Sequence, residues 1–285
     1  MNLCSNLYRI IFRSWKGGLR VRFDMGVDIG TSFFYDIPRS VPAAKSEGWT
    51  RAVRPKGPLP QLLMYCPNDH VLCGLYDDTD YIAGLQIGVS QDDFSDAVFD
   101  WHVQGYTNWT ADVDGTPKNF WTIQQYFVSE DFLKKSKEER LAARNPNKTL
   151  QDDAVWVTGF YGSLLKISTK ADDIANNSPF TEQSCIPWMG LHYYYNMTTS
   201  TECTSDGIYP WFPLVDSGEL IAAGFITFGK IATKEGARNW FEDPESSVVK
   251  MIVPRGPECL YDMVDTYGVV TMHIYYVEEP WLIQC

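Results

Sequence analysis

The chain has 285 residues, of which 45% are apolar and 21% are charged, with a formal net charge of −12 at pH 7. This composition excludes a disordered or fibrous protein, and the length is sufficient to bury a core without a metal ion. The negative charge would repel the phosphate backbone of a nucleic acid, so we expect no nucleic-acid partner. The ten Trp, sixteen Tyr and fifteen Phe favour half-buried pleated surfaces and aromatic binding faces.

Residues 1–60 differ from the rest of the chain because they carry ten Lys and Arg against four acids. Five prolines fall between residues 38 and 60, a composition typical of an extended segment. We therefore predict a basic, Pro-rich and weakly structured segment over residues 1–60. A disulfide-bonded, β-rich domain is predicted over residues 61–285, and it could consist of two packed halves with a break near residues 129–153.

From residue 61 onward, short runs of β-type residues alternate with turn residues, as in antiparallel sheets. The predicted fold class is mostly β, an antiparallel β-sandwich or barrel with one or two short surface helices. In the clearest run, every second residue from Tyr81 to Val89 is apolar, which places these side chains, Ala83 and Leu85 among them, on one face. The predicted strands span 61–66, 70–76, 80–90, 97–107, 120–128, 154–167, 189–196, 219–231, 248–253 and 267–277.

Two helices are predicted from capping and charge spacing. Ser129 can cap a helix that begins with Glu130 and Asp131, because acids suit the positive end of the helix dipole. Lys134 with Glu138 and Lys135 with Glu139 are oppositely charged pairs four residues apart, and the charged stretch as far as Arg144 marks a surface helix. A second short helix is predicted over residues 234–241.

Six of the seven cysteines fall after residue 61, at separations that suit a disulfide framework. Six cysteines allow fifteen connectivities, so the pairing of sequence neighbours is only the simplest choice. That choice joins Cys66 with Cys73, Cys185 with Cys203, and Cys259 with Cys285, and leaves Cys4 over. The alternative is a set of reduced, buried cysteines in a cytosolic protein.

Four Asn-x-Ser/Thr sequons point to the same environment as the cysteines. They lie at Asn108, Asn147, Asn176 and Asn196. Together with the cysteines they favour an oxidising, secretory environment and a secreted protein. The N-terminus does not support this prediction, since Arg9 and Arg13 interrupt its apolar stretch and no conventional signal peptide is visible. No apolar run has the roughly 18 residues that a membrane span needs.

Several catalytic and cofactor motifs are absent from the sequence, namely the G-x-S-x-G elbow, the H-E-x-x-H zinc pair, the P-loop and the G-x-G-x-x-G turn. The four histidines are the next candidates for catalytic or ligand-binding residues. Strand parity places His102, His192 and His273 on polar, tyrosine-bearing faces. Asn196 shares the face of His192, and a glycan on Asn196 requires solvent, so we expect His192 outside the core.

The stretch around Trp211 joins a Tyr-Pro-Trp-Phe-Pro cluster to a sequon and a cysteine. Exposed aromatic residues beside polar loops stack on sugars or hold a protein partner, although Trp211 could instead plug the end of the sandwich. The predicted ligand-binding residues are His102, Tyr106, His192, Tyr194, Trp211, His273 and Tyr275.

We predict no transition-metal site, because strand parity does not show that the histidines converge. The stretch CPNDHVLC also offers Cys66, His70 and Cys73 as zinc ligands, but its Pro-Asn-Asp turn favours a disulfide-pinned hairpin. Calcium is the possible cofactor, because acidic loops offer oxygen ligands; the alternative is a solvated acidic surface. The candidate calcium ligands are Asp77, Asp78, Asp80, Asp112 and Asp114.

These patterns favour a secreted, N-glycosylated, β-rich protein that binds an extracellular ligand through aromatic and acidic loops, without catalysis. A carbohydrate, a small molecule or a protein partner all fit this hypothesis. One alternative is a secreted hydrolase or metal-dependent oxidase that uses Asp77, Asp100, His102 or His273. A second alternative is a structural component of a matrix or a venom.

Overall fold

The computed structural model of the protein describes residues 17–22, 33–232 and 238–285. Its strands, numbered in chain order, form two large antiparallel sheets and one two-stranded ribbon. The two large sheets pack face to face through a shared apolar core, and the described residues also form six short helices, two of which contribute Val41 and Ile174 to that core. The predicted fold class, mostly β with a sandwich architecture, is confirmed.

The first sheet has seven strands and joins the two ends of the chain. Across the sheet these are β12 (Phe180–Ile186), β13 (Gly190–Tyr195), β14 (Trp211–Asp216), β15 (Glu219–Phe228), β17 (Val269–Tyr275), β1 (Arg20–Arg22) and β2 (Phe34–Asp36). Every neighbouring pair in this sheet is antiparallel.

The second sheet has eight strands, all of which fall between residues 50 and 168. Across the sheet these are β11 (Leu164–Ser168), β10 (Ala154–Thr158), β9 (Thr116–Tyr126), β6 (Ile82–Ser90), β5 (Leu72–Tyr76), β4 (Leu63–Cys66) and β3 (Thr50–Ala52), while β8 (Thr107–Val113) pairs with β9. The ribbon joins β7 (Phe94–Ser95) to β16 (Lys230–Ile231).

The helices are short. They are α1 (Val41–Ser46), α2 (Glu130–Lys134), α3 (Lys137–Ala143), α4 (Ala171–Asn177), α5 (Ser246–Ile252) and α6 (Glu258–Tyr267), with 3₁₀ turns at Phe160–Gly162 and Pro280–Leu282. None of the helices in the described ranges has the length and apolar character that crossing a bilayer requires.

The inner core lies between the two sheets and is cross-linked by hydrogen bonds. The Trp211 indole N–H donates to the Thr158 carbonyl at 2.7 Å, and Trp211 is fully buried. The Tyr276 hydroxyl donates to the Gln125 side chain. Residues from both sides of 129–153 take part in this core, and the division into two halves stays a prediction.

The outer face of the seven-stranded sheet is also covered, because helices α5 and α6 pack against it. Val249 of α5 and Leu260 of α6 belong to the same apolar cluster as Leu214, Ala222 and Ile226 of the sheet. Both faces of this sheet are therefore removed from solvent. Alternation of polar and apolar residues along its strands cannot distinguish a buried face from a solvated one.

The chain before residue 61 contributes to both sheets, which corrects the expectation of weak structure for its described part. Strand β1 pairs with β17, and Val21 is fully buried opposite Ile274. Strand β3 extends the eight-stranded sheet. Residues 1–16 and 23–32 of that prediction lie outside the described residues.

The helix predicted from Ser129 to Arg144 forms as two helices. Ser129 caps α2, with its hydroxyl accepting a hydrogen bond from the Phe132 N–H at 2.9 Å. Ser136 then begins α3 with a capping box shared with Glu139. Of the second predicted helix, residues 234–237 lie outside the described residues, and residues 238–241 are not helical.

Three of the predicted strands are corrected. Residues 101–105 form a turn rather than part of a strand, so His102 is not on a sheet. Residues 248–253 lie mostly in helix α5 rather than in a strand. In β6, a register shift opposite Leu75 and Tyr76 places Ala83 and Leu85 in different core clusters, so they do not share a face.

Three disulfides are present, and one of them has the predicted partners. Cys66 pairs with Cys73, which confirms the pinned hairpin. The other two pairs are not between sequence neighbours: Cys185 pairs with Cys285, and Cys203 pairs with Cys259. The fold brings the chain end beside β12, and sequence spacing carries no signal of that contact.

Candidate functional site

A groove of about 280 Å³ opens between the β4–β5 turn, the β8–β9 hairpin and the chain after β16. We call it the Trp240 groove. Its apolar wall consists of Val71, Phe120, Ile231, Trp240 and Phe241. Its polar groups include Asn68, Asp69, Ser90, Asp114, Lys118 and Asn239. An apolar wall with a few convergent polar groups is the usual construction of a small-molecule site.

Trp240 is held in place by the β4–β5 turn. Its indole N–H donates to Asp69 Oδ2 at 2.6 Å. Asp69 Oδ1 accepts a second hydrogen bond, from the Val71 N–H at 3.1 Å. Because both carboxylate oxygens are engaged, Asp69 orders the wall of the groove.

Arg238 lies at the rim of the Trp240 groove, over two aromatic rings. Its guanidinium carbon is 3.7 Å from the centre of the Tyr35 ring and 5.0 Å from that of Trp240. These are cation–π distances. The rim thus combines a cation and aromatic faces with the nearby carboxylates of Asp93 and Asp114.

The Ser90 hydroxyl is the least satisfied polar group of the groove. Ser90 is 6% exposed, and its Oγ has no hydrogen-bond partner in the part of the chain that the structure describes. A buried hydroxyl without a partner costs about 1–3 kcal/mol.

A second cavity, of about 480 Å³, lies on the other side of the chain after β16. It shares Ile231, Asn239 and Phe241 with the Trp240 groove. Its acidic groups are Asp243, Glu245 and Asp265. Two adjoining depressions therefore flank one segment of chain.

His102 and Tyr106 lie together, in an aromatic cluster beside β9. The His102 ring is 5.3 Å from the Trp121 ring, and Trp121 stacks on Trp101 at 5.7 Å. Trp101 also contacts Tyr106 at 4.7 Å. His102 is exposed whereas Tyr106 is buried, so only part of this cluster can meet a ligand.

Four other predicted residues, His192, Tyr194, His273 and Tyr275, meet on the helix-covered face of the seven-stranded sheet. The rings of His192 and His273 are 5.9 Å apart, and each lies within 6 Å of the Phe212 ring. The sheet register places Phe212 beside Gly224, where a Cβ atom would come within 2.0 Å of that ring. The glycine therefore makes room for the cluster.

This location corrects the expectation that the histidines face solvent. His192 is 0% exposed and His273 is 3% exposed. Parity correctly predicted which residues share a face, but helices α5 and α6 cover that face. Trp211 points to the opposite side of the sheet, into the core between the sheets.

Both buried histidines are oriented through their Nδ1 atoms. His192 Nδ1 lies 3.0 Å from the Gly190 carbonyl and 3.3 Å from that of Ser184. His273 Nδ1 lies 3.0 Å from Glu242 Oε1, and Glu242 is itself 1% exposed. Burial, together with a smaller contribution from the neighbouring His273, lowers the pKa of His192 to about 3, so His192 is neutral at physiological pH.

The predicted calcium ligands are partly engaged in other contacts. Asp77 is buried and forms ion pairs with Arg144, at 2.7 Å, and Arg140, at 3.7 Å. Arg140 also pairs with Asp78. Calcium at Asp77 or Asp78 would compete with these guanidinium groups. Calcium at the five predicted ligands stays a prediction.

Asp100 and Asp112 organise turns. Asp100 Oδ1 accepts hydrogen bonds from the backbone N–H groups of His102 and Val103. Asp112 Oδ1 accepts one from the Gly115 N–H at 2.7 Å. In the described residues, no group of three or more His, Cys, Asp or Glu side chains is arranged to hold a metal ion.

All four sequon asparagines, Asn108, Asn147, Asn176 and Asn196, are exposed. Asn108 is on strand β8, where buried and exposed residues alternate. Asn196 follows β13 in a left-handed backbone conformation, with φ of 44°. Each asparagine is thus accessible to a modifying enzyme.

No protein-family model, curated protein or solved structure matches this chain. The geometry of its own side chains is therefore the basis for assigning a function.

Sequence reasoning missed the main residues of the Trp240 groove. The sequence pattern predicts only a turn at Asn68 and Asp69, and it predicts a helix at Trp240. A usable signal was the Pro-Asn-Asp turn itself, because such turns present side chains at the end of a sandwich. The partner of Asp69 is 171 residues away along the chain, so the contact required the fold.

Proposed function

We propose that this protein is a secreted, N-glycosylated binding protein that holds a small polar organic ligand in the Trp240 groove. The observation that carries the proposal is the groove's combination of an apolar wall with convergent polar groups, among them Asn239, Asp114 and Lys118. Its volume of about 280 Å³ suits a molecule of one or two rings.

The chemistry of the groove favours a ligand with both hydroxyl or amine groups and an apolar face. Asn68 and Asn239 offer hydrogen bonds, while Asp114 and Lys118 offer charges of both signs. A sugar or an amino sugar has this character, since its ring carries polar groups at the edge and C–H groups on the face. Of the acidic loops expected from the sequence, the one with Asp114 lines the groove, whereas none of the seven predicted ligand-binding residues does.

The catalytic alternative has less support in this geometry. Asp77 is committed to two arginines, and Asp100 to backbone N–H groups. The pair of His273 and Glu242 is buried, at 3% and 1% exposure. We therefore favour binding over hydrolysis or oxidation.

Filling the groove is expected to abolish ligand binding. Asn68 is exposed and lines the groove, so Asn68→Trp should block it without disturbing the core. Ligand-observed NMR with a library of monosaccharides, amino sugars and small amines measures the result. Compounds that bind the wild type should lose at least tenfold in affinity with this variant.

The matched control is Glu138→Trp, which adds the same side chain at an exposed position on α3. It should retain every ligand of the wild type. Equal binding by the wild type and Asn68→Trp, or no binding by the wild type, would refute the proposed function.

The secretory part of the proposal predicts glycans on the exposed sequons. The chain, expressed behind a heterologous signal peptide in eukaryotic cells, should carry them at one or more of Asn108, Asn147, Asn176 and Asn196. Enzymatic release converts an occupied asparagine to aspartate, which peptide mass spectrometry detects. Exposed Asn145, which is followed by proline and lies in no sequon, is the control. A secreted chain with all four sites unmodified would contradict the prediction.

A further inference from the structure

Two buried histidines present ring nitrogens that no described residue satisfies. Nε2 of His192 and Nε2 of His273 are both inaccessible to solvent and have no hydrogen-bond partner among the residues the structure describes. The two rings are nearly perpendicular, at 84°, with centres 5.9 Å apart. Two unpaired nitrogens from strands β13 and β17 therefore lie in one small region.

The opposite nitrogen of each ring, Nδ1, lies beside hydrogen-bond acceptors. The partners of His192 Nδ1 are the carbonyl oxygens of Gly190 and Ser184, which only accept hydrogen bonds. His192 Nδ1 must therefore carry the proton, and Nε2 carries a lone pair. Glu242 Oε1 imposes the same tautomer on a neutral His273.

Such anchoring is the arrangement that metal-binding histidines use. A ligating imidazole nearly always donates its other N–H to a carbonyl or a carboxylate, which fixes the ring and makes the free nitrogen more basic. Here one histidine is held by backbone carbonyls and the other by a carboxylate. Both lone pairs are thereby pre-oriented.

The ring separation suits a single ion between the two nitrogens. If both Nε2 atoms lie on the line between the two rings, metal–nitrogen bonds of about 2 Å and about 1.1 Å from each nitrogen to its ring centre place the ring centres about 6.2 Å apart. The observed separation is 5.9 Å. Zinc requires four ligands, whereas the d¹⁰ cuprous ion is stable with two imidazoles in a linear arrangement.

The surroundings also suit a monovalent ion. The aromatic rings of Phe212 and Tyr194 exclude water. Glu242 supplies one negative charge at His273, and Arg22 lies 3.8 Å from that carboxylate as the nearby positive charge. Because Arg22 already offsets the charge of Glu242, any bound cation adds net positive charge, and a monovalent ion adds the least.

We propose that His192 and His273 bind one copper(I) ion through their Nε2 atoms, in a buried two-coordinate site under helices α5 and α6. The site is structural, since the ion would have no contact with a substrate. It is independent of the Trp240 groove.

Copper binding by the intact, disulfide-bonded chain tests this site. The protein is produced in copper-supplemented medium, ascorbate keeps the metal as copper(I), and competition with a chromogenic copper(I) chelator measures affinity. One copper(I) per chain is expected. X-ray absorption should show two nitrogen neighbours at about 2 Å and no sulfur.

The variants His192→Phe and His273→Phe should each lower copper(I) affinity at least a hundredfold. The control His102→Phe removes an exposed histidine and should leave affinity unchanged. If His192→Phe or His273→Phe does not fold, the number and type of copper ligands in the X-ray absorption spectrum of the wild type test the proposal instead. Three or more ligands, a sulfur ligand, or equal copper binding by folded His192→Phe would overturn the proposal.

Discussion

Replacing Cys185 and Cys285 with serine is expected to lower the free energy of unfolding by about 4–5 kcal/mol. The bridge spans 100 residues of sequence, and in the chain-entropy model a loop of that length restricts the unfolded chain by about this amount. Both cysteines are exposed, so the substitution removes the cross-link with little change in packing. Guanidinium denaturation followed by tryptophan fluorescence measures the change.

Reduction provides the matched control for this disulfide. Once all disulfides of both proteins are reduced, the wild type and the Cys185→Ser/Cys285→Ser variant should unfold at the same guanidinium concentration. A persistent difference would mean that the serines act through packing. A disulfide-linked peptide joining Cys185 to Cys203 would contradict the connectivity itself.

The second large effect is expected at Asp77, where Asp77→Asn should cost about 3–5 kcal/mol. The carboxylate is 2% exposed and pairs with Arg140 and Arg144, whose side chains are 8% and 5% exposed. Removing one partner of a buried ion pair leaves charges without compensation. Here two guanidinium groups lose their shared carboxylate, and α3 loses its attachment to the β5–β6 hairpin. Chemical denaturation at pH 7 measures the loss.

Asp78→Asn is the control, because Asp78 contacts the same Arg140 but is 62% exposed. Exposed ion pairs contribute at most about 1 kcal/mol, so the variant should remain close to the wild type. Similar losses in the two variants would show that the burial of Asp77 has no special role.

Local signals in the sequence were sufficient for several elements of the fold. The alternation up to Val89 predicted β6, and Ser129 predicted the start of α2. The hairpin pinned by Cys66 and Cys73 followed from a Pro-Asn-Asp turn between two β-type runs. In each case the deciding interactions lie within about ten residues of one another.

Elements that depend on distant contacts were not predictable. The run SSVVKMI is rich in β-branched residues and favours a strand, yet it forms helix α5 because Val249 and Ile252 pack on the seven-stranded sheet. The pairing of Cys185 with Cys285 required the sheet to bring the two together.

For the candidate site, sequence periodicity predicted which side chains lie together but not whether they are buried. It placed His192 with Tyr194 and His273 with Tyr275, and the sheet register brings the two pairs together. Whether solvent reaches that face depends on helices α5 and α6, which belong to other parts of the chain. Trp240 and Asp69 were missed for the same reason, since their contact spans 171 residues.

The position of β1 has a consequence for how the chain is made. Arg20 is paired with Tyr275, which lies far along the chain, so this side of β1 can pair only after β17 has been translated. Until then β1 can pair only with β2, on its other side. Pairing over such a distance slows folding and leaves strand edges open to neighbouring chains. We expect this protein to depend on chaperones during its synthesis more than its stability once folded would indicate.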